Sequence, residues 1–430
     1  MKKLSTKDIL VVGFALFAMF FGAGNLIFPP YLGSLSGENW LTSDIGFVIT
    51  GVGMTLLGVV ATARVGGKIS DVTHKLGPVV GNLMSFLIII CIGPLLAIPR
   101  NAATTHEIAF YGTDFPIMAT SLVFFLLVLF FTLRPSKIVD AIGRFLTPAL
   151  LIILALMIVK GVMSPLGSPL PNEIPTAQSF AHGFTEGYQT MDTMAATVFT
   201  GIIVSSIIAK GYKEEQVTKV TILSGLIAIV GLAVVYTGLA YLGASYPTGG
   251  VEIDRSALLI SIMAGLFGNA GQLILALCIS LACLTTAIGL TTASADFFVD
   301  MTGGKVSYNA FAIGTAVFSG VFSVLGVDAI VSLSAPILGI LYPCLIVLLV
   351  LASMDQQIPY PTIYYFGVLG AFLVSFPEGM AGVLGNQGLA DFFASLPLAQ
   401  FGLGWLIPSV VGVVLGYFVG KAKYPESKVS

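Results

Sequence analysis

The residues that offer most chemistry are Gly22, Ala23, Gly24 and Asn25, within FFGAGNLIFPP from Phe20 to Pro30. They lie in a run without charge from Ile9 to Gly37, and about 20 apolar residues suffice to cross the hydrocarbon of a bilayer. The four are poor helix formers taken together, so the span is expected to break there. Unpaired backbone in lipid costs several kcal/mol per group, and a break survives only where protein, water or a ligand satisfies it. A half-helix starting near Asn25 offers free N–H groups and a positive dipole end, which suit a carboxylate. A half-helix ending near Phe21 offers free carbonyls, which suit a cation. The same residues also read as a glycine-rich packing face or a plain kink.

A second polar stretch, Glu186, Gly187, Tyr188, Gln189, Thr190, Met191 and Asp192, leads into an apolar run. Asp192 is the only carboxylate deep within an expected span, where a charge costs about 2.5–3.5 kcal/mol. It faces a substrate amine, a cation or a proton path, or it is a solvated cap to Thr193–Ala196. Thr285 and Thr286 put adjacent hydroxyls in another span. Such oxygens are hard ligands fit for an alkali cation, or they are ordinary glue between helices. Arg100, after Pro99, is expected at the outer end of the third span, paired with Glu107 or snorkelling. Walls for an aliphatic side chain are sought in Phe20, Ile92, Leu96, Met191 and Phe199.

The elements that must position these groups are membrane helices. Of 430 residues, 56% are hydrophobic and 9% charged, with mean hydropathy +0.99, against about 25% charged in soluble domains. The chain is therefore expected to be polytopic and all-α, without a soluble domain. A net charge of −2 gives no case for nucleic acid. Cys91, Cys278, Cys283 and Cys344 lie in apolar stretches without a CxxC pair, and His74, His106 and His182 are scattered. Neither disulfide nor zinc chemistry is indicated. No HExxH, GxSxG or paired intramembrane carboxylates point to an enzyme.

Charge-poor windows predict twelve spans: 9–31, 44–63, 79–99, 116–134, 145–163, 187–209, 220–243, 270–295, 309–326, 329–353, 362–377 and 403–420. The basic start, Met1 to Lys7, mimics a signal peptide, but the apolar run outlasts one, so it is read as a retained helix. With both termini cytoplasmic, sixteen of the nineteen lysines and arginines fall in cytoplasmic segments, as the positive-inside rule requires. These include Lys2, Lys3, Arg134 and Lys428; Arg100, Lys160 and Arg255 are the three outside the pattern. A proline-rich loop from Gly161 to Glu186 separates two groups of five spans, 9–163 and 187–353, with 362–420 supplying two peripheral helices. Forty residues without charge, Ser256 to Ala295, exceed one span, so a short helix near 257–267 and a turn at Gly268-Asn269 are expected. The first span of each group is interrupted. Matching interruptions in two halves point to an inverted-repeat transporter with its site at mid-membrane. A channel would need a polar ring or repeated pore motif, and none is visible.

Three stretches, GFALFAMFFGAGNLIFPPYLG (Gly13–Gly33), GYQTMDTMAA (Gly187–Ala196) and LACLTTAIGLTTASADFF (Leu281–Phe298), make the chain resemble the branched-chain amino acid carriers of the BrnQ type, the LIVCS family of cation symporters. The resemblance covers essentially the full chain. It implies uptake of leucine, isoleucine and valine across a bacterial plasma membrane, driven by a cation gradient. More distantly it implies the five-plus-five fold of the LeuT type, with discontinuous helices one and six. That fold implies a sodium ion between spans one and eight. Its ligands would be the carbonyls of Ala18, Phe21 and Ala282 and the hydroxyls of Thr285 and Thr286. The substrate site would include Gly22, with the carboxylate meeting Ala23 to Asn25. The amine would meet the second break at Tyr188, Thr190, Met191 and Asp192. Proton coupling through Asp192 is the competing expectation.

Overall fold

The computed structural model describes residues 5–133, 137–171, 174–249, 251 and 253–424. Lys2, Lys3, Arg134 and Lys428, used above for orientation, lie outside them.

The described residues form helices and connecting turns, with no strand among them. The first helix, α1 (Thr6–Phe20), starts at Ser5, whose Oγ accepts the Asp8 N–H at 3.4 Å. It stops because Phe21 and Gly22 are extended, at φ/ψ −77°/92° and −117°/−166°. The chain resumes helix as α2 (Ala23–Ser36). Pro29 and Pro30 lie inside α2 and carry no N–H, so the carbonyls of Asn25 and Leu26 lose their usual partners. Helices α3 (Trp40–Val48) and α4 (Met54–Val65) join through one wide turn at Ile49–Gly53. A short α5 (Ile69–Thr73) precedes α6 (Pro78–Ile90).

Between α6 and α7 (Ala97–Ala109) the chain unwinds at Cys91–Leu95, where Gly93 is non-helical and Pro94 removes a donor. The third span was expected to run unbroken over 79–99 and end beside Arg100. It is instead broken at its middle and continues to Ala109, so Arg100 lies inside it. Next come α8 (Ile117–Thr132) and α9 (Lys137–Met163). Then α10 (Thr176–Glu186) occupies the end of what reads in sequence as a proline-rich loop. Its polar residues disguise it, but Gly183 lies against the backbone of Ser43, and Gly46 against that of Phe180. That close approach buries α10 on α3.

A tight turn, Gly187–Thr190, and Met191 with left-handed φ of 60° separate α10 from α11 (Asp192–Ala209). The remainder is α12 (Glu214–Ala244), α13 (Arg255–Met301), α14 (Tyr308–Ser323), α15 (Val327–Ser353), α16 (Pro361–Leu384), α17 (Gln387–Ala394) and α18 (Leu406–Lys423). As the sequence suggests, α13 bends at Gly268, at φ 67° and ψ −161°. Lys160 Nζ donates to the Leu266 carbonyl beside that bend and lies 4.3 Å from the Phe267 ring centroid.

Each expected window overlaps a helix. Among the described residues, eight helical stretches are long and apolar enough to cross a membrane, with shorter apolar helices at Ile117–Thr132, Leu150–Met163 and Arg255–Gly268. The tightest crossing near the first break is α2 on α12. A Cβ on Gly33 would run into the Ala240 carbonyl, and one on Gly243 into that of Pro30.

Candidate binding site

Two breaks face each other. At the first, the Gly22 N–H donates to Asn25 Oδ1 at 3.0 Å rather than to Ala18, so the Ala18 carbonyl loses its usual partner. The Ala23 N–H donates to Asn101 Oδ1 at 3.1 Å. Asn101 in turn donates from Nδ2 to the Ala97 carbonyl at 3.0 Å. Thr286 Oγ1 donates to the Phe21 carbonyl at 3.3 Å. Of the first three N–H groups of α2, that of Ala23 is taken by Asn101, and those of Gly24 and Asn25 have no acceptor within the helix.

At the second break, Asp192 begins α11 and is 1% exposed. Asn25 Nδ2 donates to both its carboxylate oxygens, at 3.0 and 2.9 Å. Tyr236 donates from its hydroxyl to Oδ2 at 2.6 Å and also lies against Asn25 Nδ2. Thr190 Oγ1 donates to the Gly187 carbonyl at 3.0 Å and accepts the Asp192 N–H at 3.3 Å. Asp192 is thus no solvated cap. Neither is it the only deep carboxylate: Asp44 in α3 is 3% exposed and accepts from Thr237 at 2.7 Å. Asp44 opens its expected span, which is why sequence depth alone hid it.

Arg100 corrects a second expectation. It is 3% exposed, its Nη1 donates to the Gln189 carbonyl of the second break at 2.8 Å, and its guanidinium lies 5.0 Å from the Phe28 ring centroid. It does not snorkel. The acceptors of Glu107 go elsewhere, to Ser256 Oγ at 2.5 Å and the Val327 N–H at 2.8 Å.

These groups border one cavity of about 30 Å³. Gly22, Ala23, Gly24, Asn25, Thr190, Met191 and Asp192, expected at the substrate, and Thr286, expected at the cation, all line it. Phe20, Ile92, Met191 and Phe199 form apolar wall, while Leu96 does not reach it. Tyr188 is also absent from the lining; its ring stacks on Tyr342 at 4.4 Å instead. Thr285 Oγ1 turns back to the Ala282 carbonyl at 2.9 Å, so Thr285 and Ala282 meet each other, while Thr286 meets Phe21. Arg100, Asn101, Ala97 and Ala195 are lining residues that sequence reasoning missed. The available signal was Gly93-Pro94, a helix-breaking pair that moves Arg100 from the rim to mid-span.

Buried donors, a buried carboxylate and freed carbonyls around a small space suit reversible capture of a charged solute. The profile of the family described as "Branched-chain amino acid transport protein" matches residues 5–423. The chain belongs to that family.

The family's curated relatives include the branched-chain amino acid permease BraB of Bacillus subtilis, 35% identical, covering 98% of each chain. The branched-chain amino acid transport system 2 carrier protein of Pseudomonas aeruginosa is 38% identical, covering 96% of each. This family member is a transporter and not an enzyme. Among solved structures, the nucleobase-cation-symport-1 family transporter Mhp1, closed with bromovinylhydantoin bound, aligns at TM-score 0.62 and 14% identity, over 97% of this chain and 93% of that one. MhsT in complex with L-phenylalanine aligns at 0.54 and 14% identity, over 95% and 98%. The fold is the LeuT type that these transporters share.

Proposed function

We propose that the protein is a sodium-coupled symporter that imports leucine, isoleucine and valine across a bacterial plasma membrane by alternating access. In this reading the chain crosses twelve times as an inverted five-plus-five repeat with two peripheral helices, both termini cytoplasmic. The observation that carries it is the meeting of two helix breaks around one cavity that the start of α2 and the Asp192 carboxylate both line. A zwitterion matches those poles, its carboxylate toward Ala23–Asn25 and its ammonium toward Asp192 and the carbonyls of the second break. Met19, Phe20, Ile92, Ala195, Phe199 and Leu290 offer an aliphatic side chain an apolar wall. About 30 Å³ holds little more than one water, so admitting an amino acid requires those walls to part.

For the cation, the support is the Thr286 hydroxyl at the Phe21 carbonyl, 3.3 Å away, three residues after Ala18, whose carbonyl loses its usual helical donor when the Gly22 N–H turns to Asn25. A sodium ion that joins α1 to α13 there favours one arrangement of the two and biases the cycle toward it. A second reading, proton coupling, draws on the burial of Asp192 between Asn25 and Tyr236.

The test is uptake of labelled leucine into proteoliposomes under separately imposed sodium and proton gradients. Uptake is expected to follow the sodium gradient and to be competed by isoleucine and valine. Uptake that follows only the proton gradient moves the coupling to Asp192. Failure to take up all three amino acids under both gradients overturns the substrate reading.

A further inference from the structure

We propose that Arg100 reads the carboxylate of the transported amino acid and makes the site selective for α-amino acids over amines of the same shape. This rests on the reading of the substrate given above and adds to it a residue outside the two breaks.

Arg100 is 3% exposed and borders the cavity. A cation so deep in a membrane helix is expensive and calls for partners. The guanidinium has five N–H donors in one plane. Nη1 is engaged by the Gln189 carbonyl at 2.8 Å, and Nε finds no partner although it is fully buried. Its one hydrogen bond goes to a neutral carbonyl, and the carboxylate whose charge acts on it, Asp192, makes no ion pair with it and is already held by Asn25 and Tyr236. A substrate carboxylate, which takes two parallel N–H bonds from such a fork, would pair with it directly.

The position fits as well. A Cβ on Gly24 would stand 2.7 Å from Nη2 and 3.2 Å from Cζ, so the guanidinium packs against the turn that starts α2. The amides of Ala23–Asn25 and the Arg100 fork therefore converge on one side of the cavity. Asp192 borders the same cavity, held by Asn25 and Tyr236. One cavity is thus bordered by both a guanidinium and a carboxylate, which a zwitterion engages together and an amine alone does not. The bond to Gln189 also has a purely structural interpretation, as a cap on the second break, and the test must separate the two.

Binding of L-leucine and of L-leucinol, which keeps the amine and side chain but lacks the carboxylate, is measured on the purified full chain in detergent. The wild type is expected to prefer leucine by about 30-fold or more, the scale of hydrogen bonds to a charged group. Arg100→Gln is expected to weaken leucine by a similar factor and leave leucinol within about threefold, so the preference collapses. Arg100→Lys keeps the charge without the fork and is expected to retain part of the preference. It carries the test if Arg100→Gln does not yield folded protein. Variants that weaken both ligands equally, with the leucine preference intact, would overturn the proposal and leave Arg100 a cap. A wild type that binds neither ligand overturns the substrate reading itself, a result distinct from intact binding with an unchanged ratio.

Discussion

Asn25 joins the two breaks through one side chain, accepting from Gly22 and donating to Asp192. Its neighbour Tyr236 holds the same carboxylate from α12 at 2.6 Å. Removing that hydroxyl in Tyr236→Phe leaves a buried carboxylate with one donor fewer, a loss of about 1.5–3 kcal/mol. Leucine affinity should fall about tenfold or more on that scale, checked by equilibrium binding, with protein yield preserved. The cation site has its own residue-scale test. Thr286→Ala removes the hydroxyl that meets the Phe21 carbonyl, and should raise the sodium concentration for half-maximal leucine uptake about tenfold, again the scale of one hydrogen bond or ligand. Thr285 now bonds within its own helix to Ala282, so Thr285→Ala matters as much only if the side chain rotates to meet the ion. Equal sodium dependence in the wild type and both variants would remove the site.

The helices explain why some of this could be read in advance and some could not. Gly22 to Asn25 announced the first break because three weak helix formers, Gly22, Gly24 and Asn25, stood inside a long apolar run. Gly187 to Asp192 announced the second because polar residues preceded one. The third interruption, at Gly93-Pro94, carried only two signalling residues inside an apolar context, and Arg100 beyond it read as the end of the span. α10 was hidden for the opposite reason: its residues are polar enough for a loop, and only contact with α3 through Gly183 and Gly46 buries them. Such packing depends on partners far away in the chain, which local pattern does not encode. Two element-scale predictions follow from the turns themselves. Gly24→Ala puts a methyl 2.7 Å from Arg100 Nη2 and 3.2 Å from Phe28 Cε2. Overpacking of that kind costs about 1–3 kcal/mol, so leucine uptake should drop at least tenfold without loss of membrane-inserted protein. Met191 holds φ 60°, a conformation that costs a non-glycine residue about 1–3 kcal/mol. Met191→Gly relieves that strain but deletes a side chain that is 2% exposed, a loss of about 2–5 kcal/mol, so the thermal midpoint should fall and leucine binding weaken, because the lost side chain lines the cavity. An unchanged or higher midpoint would mean that the strain outweighs Met191 packing.

Across the molecule, the site lies between two sets of ties. On the side of the α1 start, Tyr212 donates to Asp8 Oδ2 at 2.8 Å and Lys210 Nζ lies 3.8 Å from Asp8 Oδ1. On the far side, Arg255 pairs with Asp328 at 2.5 Å and Glu186 at 3.8 Å, and its guanidinium lies 4.0 Å from the Tyr31 ring centroid. Those contacts bind α13, α15, α10 and α2 together above the cavity. Arg255→Ala should loosen that end. A cysteine placed at Ala195, in a chain with its native cysteines replaced, should then react several-fold faster with an impermeant maleimide added from that end. An unchanged rate would mean that the far-side ties do not gate the cavity. One contact limits how any such motion proceeds. Because Gly33 and Gly243 let the backbones of α2 and α12 touch, those two helices have no side-chain cushion in which to slide. In the proposed cycle they would swing as a single lever, taking the amides of Ala23–Asn25 and the Tyr236 hydroxyl with them. The solute would then ride on that lever, and the wall bearing Arg100 and Thr286 would be the surface it leaves behind and rejoins in each turnover.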